Sequence, residues 1–234
     1  MKLWTQNPEY GEYFDLTTQG YIAFVLIAVL ALIALIFLKS HDGKKYSTRQ
    51  LVFSGASIAL AFVLSFVKIF HLPWGGSVTM LSMLFACLPG YFFGPTVGFT
   101  AAFAYGILQF VQGGGTWMVS PLQVCMDYIF AFTALGAAGF FANKKRGLIT
   151  GYLVAVFLRG LFHTIGGYLF WMDSMPSADE LSAGLQWVVA VPVLYPIIYN
   201  YSYIILEAIL TVAILCMKPV ENGIAQVRKI ANEG

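Results

Sequence analysis

Arg159 and His163 stand one helical turn apart inside an apolar stretch of 26 residues, Gly147 to Met172. A guanidinium at mid-bilayer depth is costly unless it faces protein, water or a counter-charge, so this pair marks a candidate functional site. On a helical period, Arg159, His163, Gly166, Gly167, Phe170 and Trp171 fall at i, i+4, i+7, i+8, i+11 and i+12 and share one face. The stripe combines a cation, a titratable ring, two glycines that permit close approach and a large aromatic, the makings of one wall of a ligand pocket. Two other apolar stretches add to it. Asp127, followed by Tyr128, lies inside residues 121–142; Asn200, Tyr203 and Glu207 follow i, i+3, i+7 spacing, with Tyr195 and Tyr199 at the start of their run. A buried carboxylate needs a partner, which predicts either an internal Asp127–Arg159 salt bridge or a bound ligand. Aromatic rings stack on a flat cation, a carboxylate answers its charge, and Asn and Tyr fix its orientation, so the set suits a small, planar, polar, cationic guest.

The elements that must position these groups follow from composition. The chain of 234 residues is 59% hydrophobic and only 10% charged, which places it among integral membrane proteins. Seven apolar segments are read at 20–38, 51–71, 77–93, 95–111, 121–142, 147–172 and 196–217, the third short for a span and expected to be tilted or irregular. Residues 1–19 carry Glu9, Glu12 and Asp15 rather than a basic leader, so 20–38 reads as a spanning helix and not as a signal peptide. Lys39, Lys44, Lys45, Arg49, Lys144, Lys145, Arg146, Lys218, Arg228 and Lys229 all fall on one side, which the positive-inside rule makes cytoplasmic. Glu9, Glu12, Asp15, Asp173, Asp179 and Glu180 gather on the other, so the N-terminus is expected outside and the C-terminus inside. Lys68 is expected to snorkel to the outer interface.

Outward connections then hold Trp74, a Gly113-Gly114-Gly115 run beside Trp117, and Trp187; they suit a mobile lid or an interfacial aromatic belt. Cys87, Cys125 and Cys216 are odd in number, far apart and in apolar runs, so neither a disulfide framework nor a metal site is expected. In the second segment, Gly55 with Ala59, and Ser57 with Ala61 and Ser65, have the small-xxx-small spacing of close helix contact, either with a partner subunit or within the chain.

Four stretches carry a resemblance. Ser65 to Thr79, with Lys68, His71, Pro73-Trp74-Gly75-Gly76 and Thr79, is similar to the first helix end and loop of the thiamine-binding S-components of energy-coupling factor transporters. Pro121-Leu122-Gln123-Val124-Cys125-Met126-Asp127-Tyr128 resembles that family's acidic-aromatic helix, His163 to Trp171 has its His-x7-Trp spacing, and Tyr195 to Asn200 its Tyr-x4-Asn spacing. The resemblance spans residues 50–217. It implies an all-α integral membrane protein, a six-helix S-component-like bundle plus one additional N-terminal transmembrane helix. It further implies that Asp127 meets the aminopyrimidine and balances the cation, His163 and Trp171 contact the thiazolium, and Tyr195 and Asn200 hydrogen-bond the ligand. Tyr128 and Trp117 would line the pocket, Trp74 would belong to the lid, and Arg159 would occupy a place where relatives can carry Lys. The face of Gly55, Ser57, Ala59, Ala61 and Ser65 would dock on a transmembrane scaffold subunit, energised by two ATPase subunits.

Residues 1–49 then form an extracellular tail, an extra helix and a basic linker, 50–217 the substrate-binding membrane domain, and 218–234 a cytoplasmic tail. The expected activity is thiamine capture for an ATP-driven importer in the cell membrane, without catalysis, cofactor, metal or nucleic acid. The residues alone leave open a thiamine precursor, another vitamin, or a secondary transporter of a similar cation. No internal repeat supports the last. An intramembrane enzyme using His163 and Asp127 lacks an H-E-x-x-H cluster or nucleophile elbow, and no phosphate loop G-x4-G-K-[ST] occurs, so ATP hydrolysis must belong to another chain.

Overall fold

Apolar runs bounded by capping and breaking residues set the elements. The computed structural model describes residues 2–8, 13–41, 46–72, 76–113 and 118–233. Glu9, Glu12, Lys44, Lys45, Gly114 and Gly115, singled out above, lie outside them. The chain opens with two short antiparallel strands, β1 (Trp4–Gln6) and β2 (Phe14–Leu16), and a 24-residue helix, α1 (Thr18–His41). Ser47 starts α2 (Thr48–Phe66) with a capping box: its hydroxyl accepts from the Gln50 N–H at 3.2 Å while Gln50 Oε1 accepts from the Ser47 N–H at 3.1 Å. A hairpin follows, β3 (Lys68–His71) with β4 (Ser77–Thr79), then α3 (Ser82–Phe93) and α4 (Pro95–Gln112). Pro95 stands in the first turn of α4, where its missing N–H leaves nothing unsatisfied.

Ser120 caps α5 (Pro121–Phe141), accepting from the Gln123 N–H at 3.1 Å. This helix is not uniform: it widens to a π turn at Cys125–Phe130 and tightens to 3-10 geometry over Ala134–Phe141. Next come α6 (Gly147–Phe170), α7 (Leu194–Leu215) and α8 (Lys218–Asn232). The protein is an all-α membrane protein; α2, α5, α6 and α7 are each long and apolar enough to cross a bilayer.

Three helices meet backbone to backbone. A Cβ on Gly136 of α5 would lie 2.5 Å from Phe99 Cα of α4, and one on Gly98 of α4 2.7 Å from Gly90 Cα of α3, so only glycine permits these approaches. Around them Met83, Tyr105, Phe110, Leu135, Tyr152, Ile204 and Thr211 are fully buried, and the Tyr152 hydroxyl donates to Thr211 Oγ1 at 3.1 Å.

Several expectations change. The apolar segment 51–71 is not one helix: α2 ends at Phe66 and Lys68–His71 turns back as a strand, because Ile69 and Phe70 serve a strand as well as a helix and Gly76, at φ +77°, makes the reversal. Segment 77–93 begins as a strand, and Leu81 at φ +63° separates it from α3. The segment expected as a C-terminal tail is helical over 218–232, held to the bundle by Arg228 Nη2 on Asn143 Oδ1 at 3.1 Å and Asn232 Nδ2 on the Phe92 carbonyl at 3.2 Å. The small-residue face of α2 divides. Ser57, Ala61 and Ser65 are buried against the chain's own helices, Ser65 sharing hydrogen bonds with Gln109 and Gln112 of α4, and are not free to meet a partner. Gly55 and Ala59 are exposed, and a Cβ on Gly55 would touch nothing.

Candidate functional site

The π turn of α5 is where Asp127 sits. There the Ala131 N–H reaches back to the Met126 carbonyl, five residues away, and the extra residue per turn bulges the helix toward its neighbours. Such turns occur frequently at functional sites. Gly106 of α4 makes the room: a Cβ there would lie 2.6 Å from the Tyr128 carbonyl oxygen. On the opposite side Gly166 of α6 lets the Asp127 carboxylate come close, since a Cβ would stand 2.7 Å from its Oδ1.

The carboxylate is held from three directions. Gln123 Nε2, one turn earlier on α5 and buried, donates to Oδ2 at 2.7 Å; the Trp171 indole N–H donates to the same oxygen at 3.1 Å; His163 Nδ1 stands 3.8 Å from Oδ1. Oδ1 thus has lone pairs left for a guest. His163 Nε2 is buried with no hydrogen-bond partner among the described residues.

These groups border a cavity of about 460 Å³, within the range of small-molecule sites. Its wall takes Asp127, Tyr128 and Phe132 from α5, His163 and Gly167 from α6, Trp171 and Ser174 just beyond α6, and Tyr195, Pro196, Tyr199, Asn200 and Tyr203 from α7. Among the described residues no Lys or Arg lines it. One carboxylate inside a cage of tyrosine, phenylalanine and tryptophan rings favours a flat cation.

The arrangement of α7 depends on Asn200. Its amide donates to the His163 carbonyl at 3.2 Å and to the Pro196 carbonyl at 2.9 Å, and its Oδ1 accepts from the Tyr203 hydroxyl at 3.0 Å. Both amide hydrogens are committed, so Asn200 offers the cavity an acceptor lone pair and fixes the spacing of α6 and α7. The Tyr203 ring in turn packs on Gly76, where it occupies the place a Cβ would take.

Of the residues singled out from sequence, Asp127, Tyr128, His163, Trp171, Tyr195 and Asn200 come together on this wall. Arg159 does not line it: its guanidinium lies 4.4 Å from the centroid of the Phe132 ring, one residue behind the wall, and its Nε is buried without a hydrogen bond among the described residues. The internal Asp127–Arg159 salt bridge, one of the two alternatives for a buried carboxylate, does not form among the described residues; Asp127 turns instead to Gln123, Trp171 and His163. Trp74 and Trp117 lie outside the described residues. Sequence reasoning passed over Gln123, although a polar residue one turn before Asp127 on the same face was a usable signal. It also passed over Phe132, which looked like any other apolar residue.

Glu207, whose purpose sequence spacing left open, is two turns deeper on α7 and 2% exposed. Oε2 accepts from the Thr79 N–H at 2.9 Å and its hydroxyl at 2.7 Å, and Oε1 from the Met83 N–H at 3.2 Å. Because Leu81 offers no side-chain cap, Glu207 supplies from another helix the negative charge and acceptors that the start of α3 lacks.

Residues 51–225 match the family model described as thiamine transporter protein (Thia_YuaJ). The chain is similar to thiamine transporter ThiT of Bacillus subtilis, 29% identical over 174 residues that cover 68% of this chain and 84% of the relative. It is 26% identical over 131 residues to thiamine transporter ThiT of Lacticaseibacillus paracasei, covering 49% of this chain and 59% of that one. Its fold is similar to a solved structure of ThiT from Listeria monocytogenes, with a TM-score of 0.52 at 21% identity over 73% of this chain and 94% of the other.

Proposed function

This chain belongs to the thiamine transporter protein family, and from that premise we propose that it is the high-affinity thiamine-binding subunit of an ATP-driven energy-coupling factor importer. The observation that carries this reading is the Asp127 carboxylate, fixed at the π turn with one oxygen open to a cavity walled by aromatic rings and free of Lys and Arg among the described residues. Thiamine is a flat aminopyrimidine joined to a thiazolium cation. Asp127 Oδ1 would accept from the exocyclic amine and offset the positive charge, while Trp171, Tyr195 and Tyr199 present ring faces to the two heterocycles. His163, with one nitrogen near Asp127 and the other without a partner among the described residues, would give the ligand a further polar contact.

Release and energy would come from other chains. We assign docking on the scaffold subunit to the exposed side of α2 around Gly55 and Ala59, flanked by the exposed Val52, Leu60 and Val63. The ligand would enter from outside, with the basic ends of α1, α5, α7 and α8 in the cytoplasm.

The test is a titration of the purified chain, without ATP or other subunits, following tryptophan fluorescence. Thiamine should quench it at sub-micromolar concentration, and the isolated pyrimidine half should bind more weakly. Quenching by the pyrimidine half with none by thiamine would move the ligand to a precursor; no response to either would remove the assignment.

A further inference from the structure

Residues before position 51 lie outside the family match, yet they meet the rest of the chain at three places, one of them on the cavity's own lining. The Tyr13 ring stacks on Trp171, with centroids 5.9 Å apart and planes 27° from parallel, and the Tyr13 hydroxyl lies 2.9 Å from Ser174 Oγ. Trp171 and Ser174 both border the cavity, and Ser174 is exposed at its rim. Next, Phe14 forms an antiparallel bridge with Met118, exchanging N–H···O bonds of 2.8 and 3.1 Å, and so joins the segment to the connection between α4 and α5. Lastly, Phe24 of α1 packs on Phe110 of α4 at 4.1 Å, and Phe110 packs on Tyr128 of the cavity wall at 5.2 Å.

The first contact bears on binding directly. Trp171 stands at the C-cap of α6, half-buried, where the helix gives way to the 3-10 turn Met172–Ser174. Its indole N–H is fixed by Asp127, and Tyr13 covers its ring. A tryptophan held at its N–H alone could swing about that bond; one backed by a second ring is preorganised, which lowers the entropy cost of closing on a guest. The backing ring is itself tied down, for the Tyr13 carbonyl accepts from the Asn7 N–H at 2.8 Å and Asn7 Nδ2 donates to Asp15 Oδ2 at 2.8 Å.

We propose that the strand β2 and the Tyr13 before it form a latch over the mouth of the cavity, with Tyr13 as the positioning residue that holds Trp171 and Ser174 against the bound ligand. The latch is supplied by the segment outside the shared family region, and this gives the additional N-terminal helix a purpose: α1 anchors the latch to the bundle. The inference rests on the thiamine reading given above. It places the control of ligand exchange on release more than capture, because a part that covers a bound guest acts chiefly on dissociation.

The full chain in nanodiscs tests this by stopped-flow tryptophan fluorescence with thiamine. Tyr13→Ala should release thiamine about tenfold faster while association changes little, and Tyr13→Phe, which keeps the ring but loses the Ser174 contact, should fall between. A second arm locks the segment. Phe14 and Met118 exchange both backbone bonds, which puts their Cα atoms about 5.5 Å apart, inside the about 4.4–6.8 Å that a disulfide spans. With Phe14→Cys and Met118→Cys combined, oxidation after loading should trap thiamine, oxidation before loading should slow its uptake, and reduction should restore both; each single cysteine is the control. Wild-type exchange rates in Tyr13→Ala together with unaltered exchange in the oxidised double variant would overturn the latch and leave the thiamine reading standing. Failure of the reduced and wild-type proteins to bind thiamine would overturn both.

Discussion

Asp127 shows how a single side chain acquires a task from its surroundings. Gln123 and Trp171 both donate to Oδ2, so the oxygen that stays open is chosen by neighbours and not by the aspartate itself. Replacing it by asparagine removes the charge and, with the amide oxygen turned to the two donors, puts an NH2 where the open oxygen was. Asp127→Asn is expected to weaken thiamine binding by about 2–3 kcal/mol, roughly thirty- to hundredfold, in an equilibrium titration, with the melting temperature of the free protein nearly unchanged. Gly166 controls the same carboxylate from across the helix interface. A methyl group 2.7 Å from Oδ1 must displace it, so Gly166→Ala should weaken binding about tenfold. Gly184→Ala, where a Cβ meets nothing, should leave affinity as it was. Equal affinities in the two glycine variants would show that the position of Oδ1 does not matter. At this scale Asp127, His163, Trp171 and Asn200 were legible as types and spacings, because ionisable and amide groups are conspicuous in apolar runs. Gln123 and Tyr13 were not: their importance lies in what they touch, which spacing within one element does not encode.

Helices of this chain were legible because hydrophobic period and length are local properties, and α6 and α7 begin and end within a few residues of the apolar runs that foretold them. The β3–β4 hairpin was not, since a short apolar run satisfies a strand as readily as a helix terminus. What decides it is tertiary: Gly76 lies on Tyr203, and Glu207 reaches across from α7 to take the Thr79 and Met83 donors. Removing that carboxylate takes the acceptor from the Thr79 and Met83 N–H groups, while the Thr79 hydroxyl keeps Ser82 Oγ as a partner. Glu207→Ala should therefore destabilise the protein by about 1–3 kcal/mol, visible as a lower melting temperature in detergent, whereas Glu207→Gln, which keeps one carbonyl acceptor, should lose less. Melting points of both variants at the wild-type value would mean that the hairpin and α3 hold without α7. The π turn of α5 was equally unreadable, because its extra residue is accommodated by a glycine on a different helix, Gly106.

For the molecule as a whole, basic residues far apart in sequence meet around the end of α8. Arg49 of α2 reaches the Ile230 carbonyl of α8 at 3.4 Å, Arg228 bonds Asn143 at 3.1 Å, and the guanidinium of Arg228 lies 4.5 Å from the Tyr91 ring centre at the end of α3. Arg49 of α2, Arg228 of α8 and the Lys144-Lys145-Arg146 run beside Asn143 thus share one end of the bundle, the end proposed on the positive-inside rule to face the cytoplasm. In a Cys216→Ser background, an impermeant thiol reagent applied to intact cells should label Asp179→Cys and spare Lys145→Cys until the membrane is opened. The reverse pattern would invert the proposed orientation and with it the side from which ligand enters.

Composition and period alone determined that this chain lives in a membrane, roughly where its helices run, which end carries the positive charge, and which polar residues are too expensive in lipid to be there without a purpose. These depend on sums over contiguous residues, and a sequence lists such sums directly. The tertiary structure decided which of those polar groups meet, that Arg159 stands behind Phe132 instead of pairing with Asp127, that Ser57, Ala61 and Ser65 face inward, and that Tyr13 comes to rest on Trp171. Such contacts join residues far apart in sequence, 161 positions in the case of Tyr13 and Ser174, and depend on how whole helices rotate and tilt against one another, which no local pattern fixes.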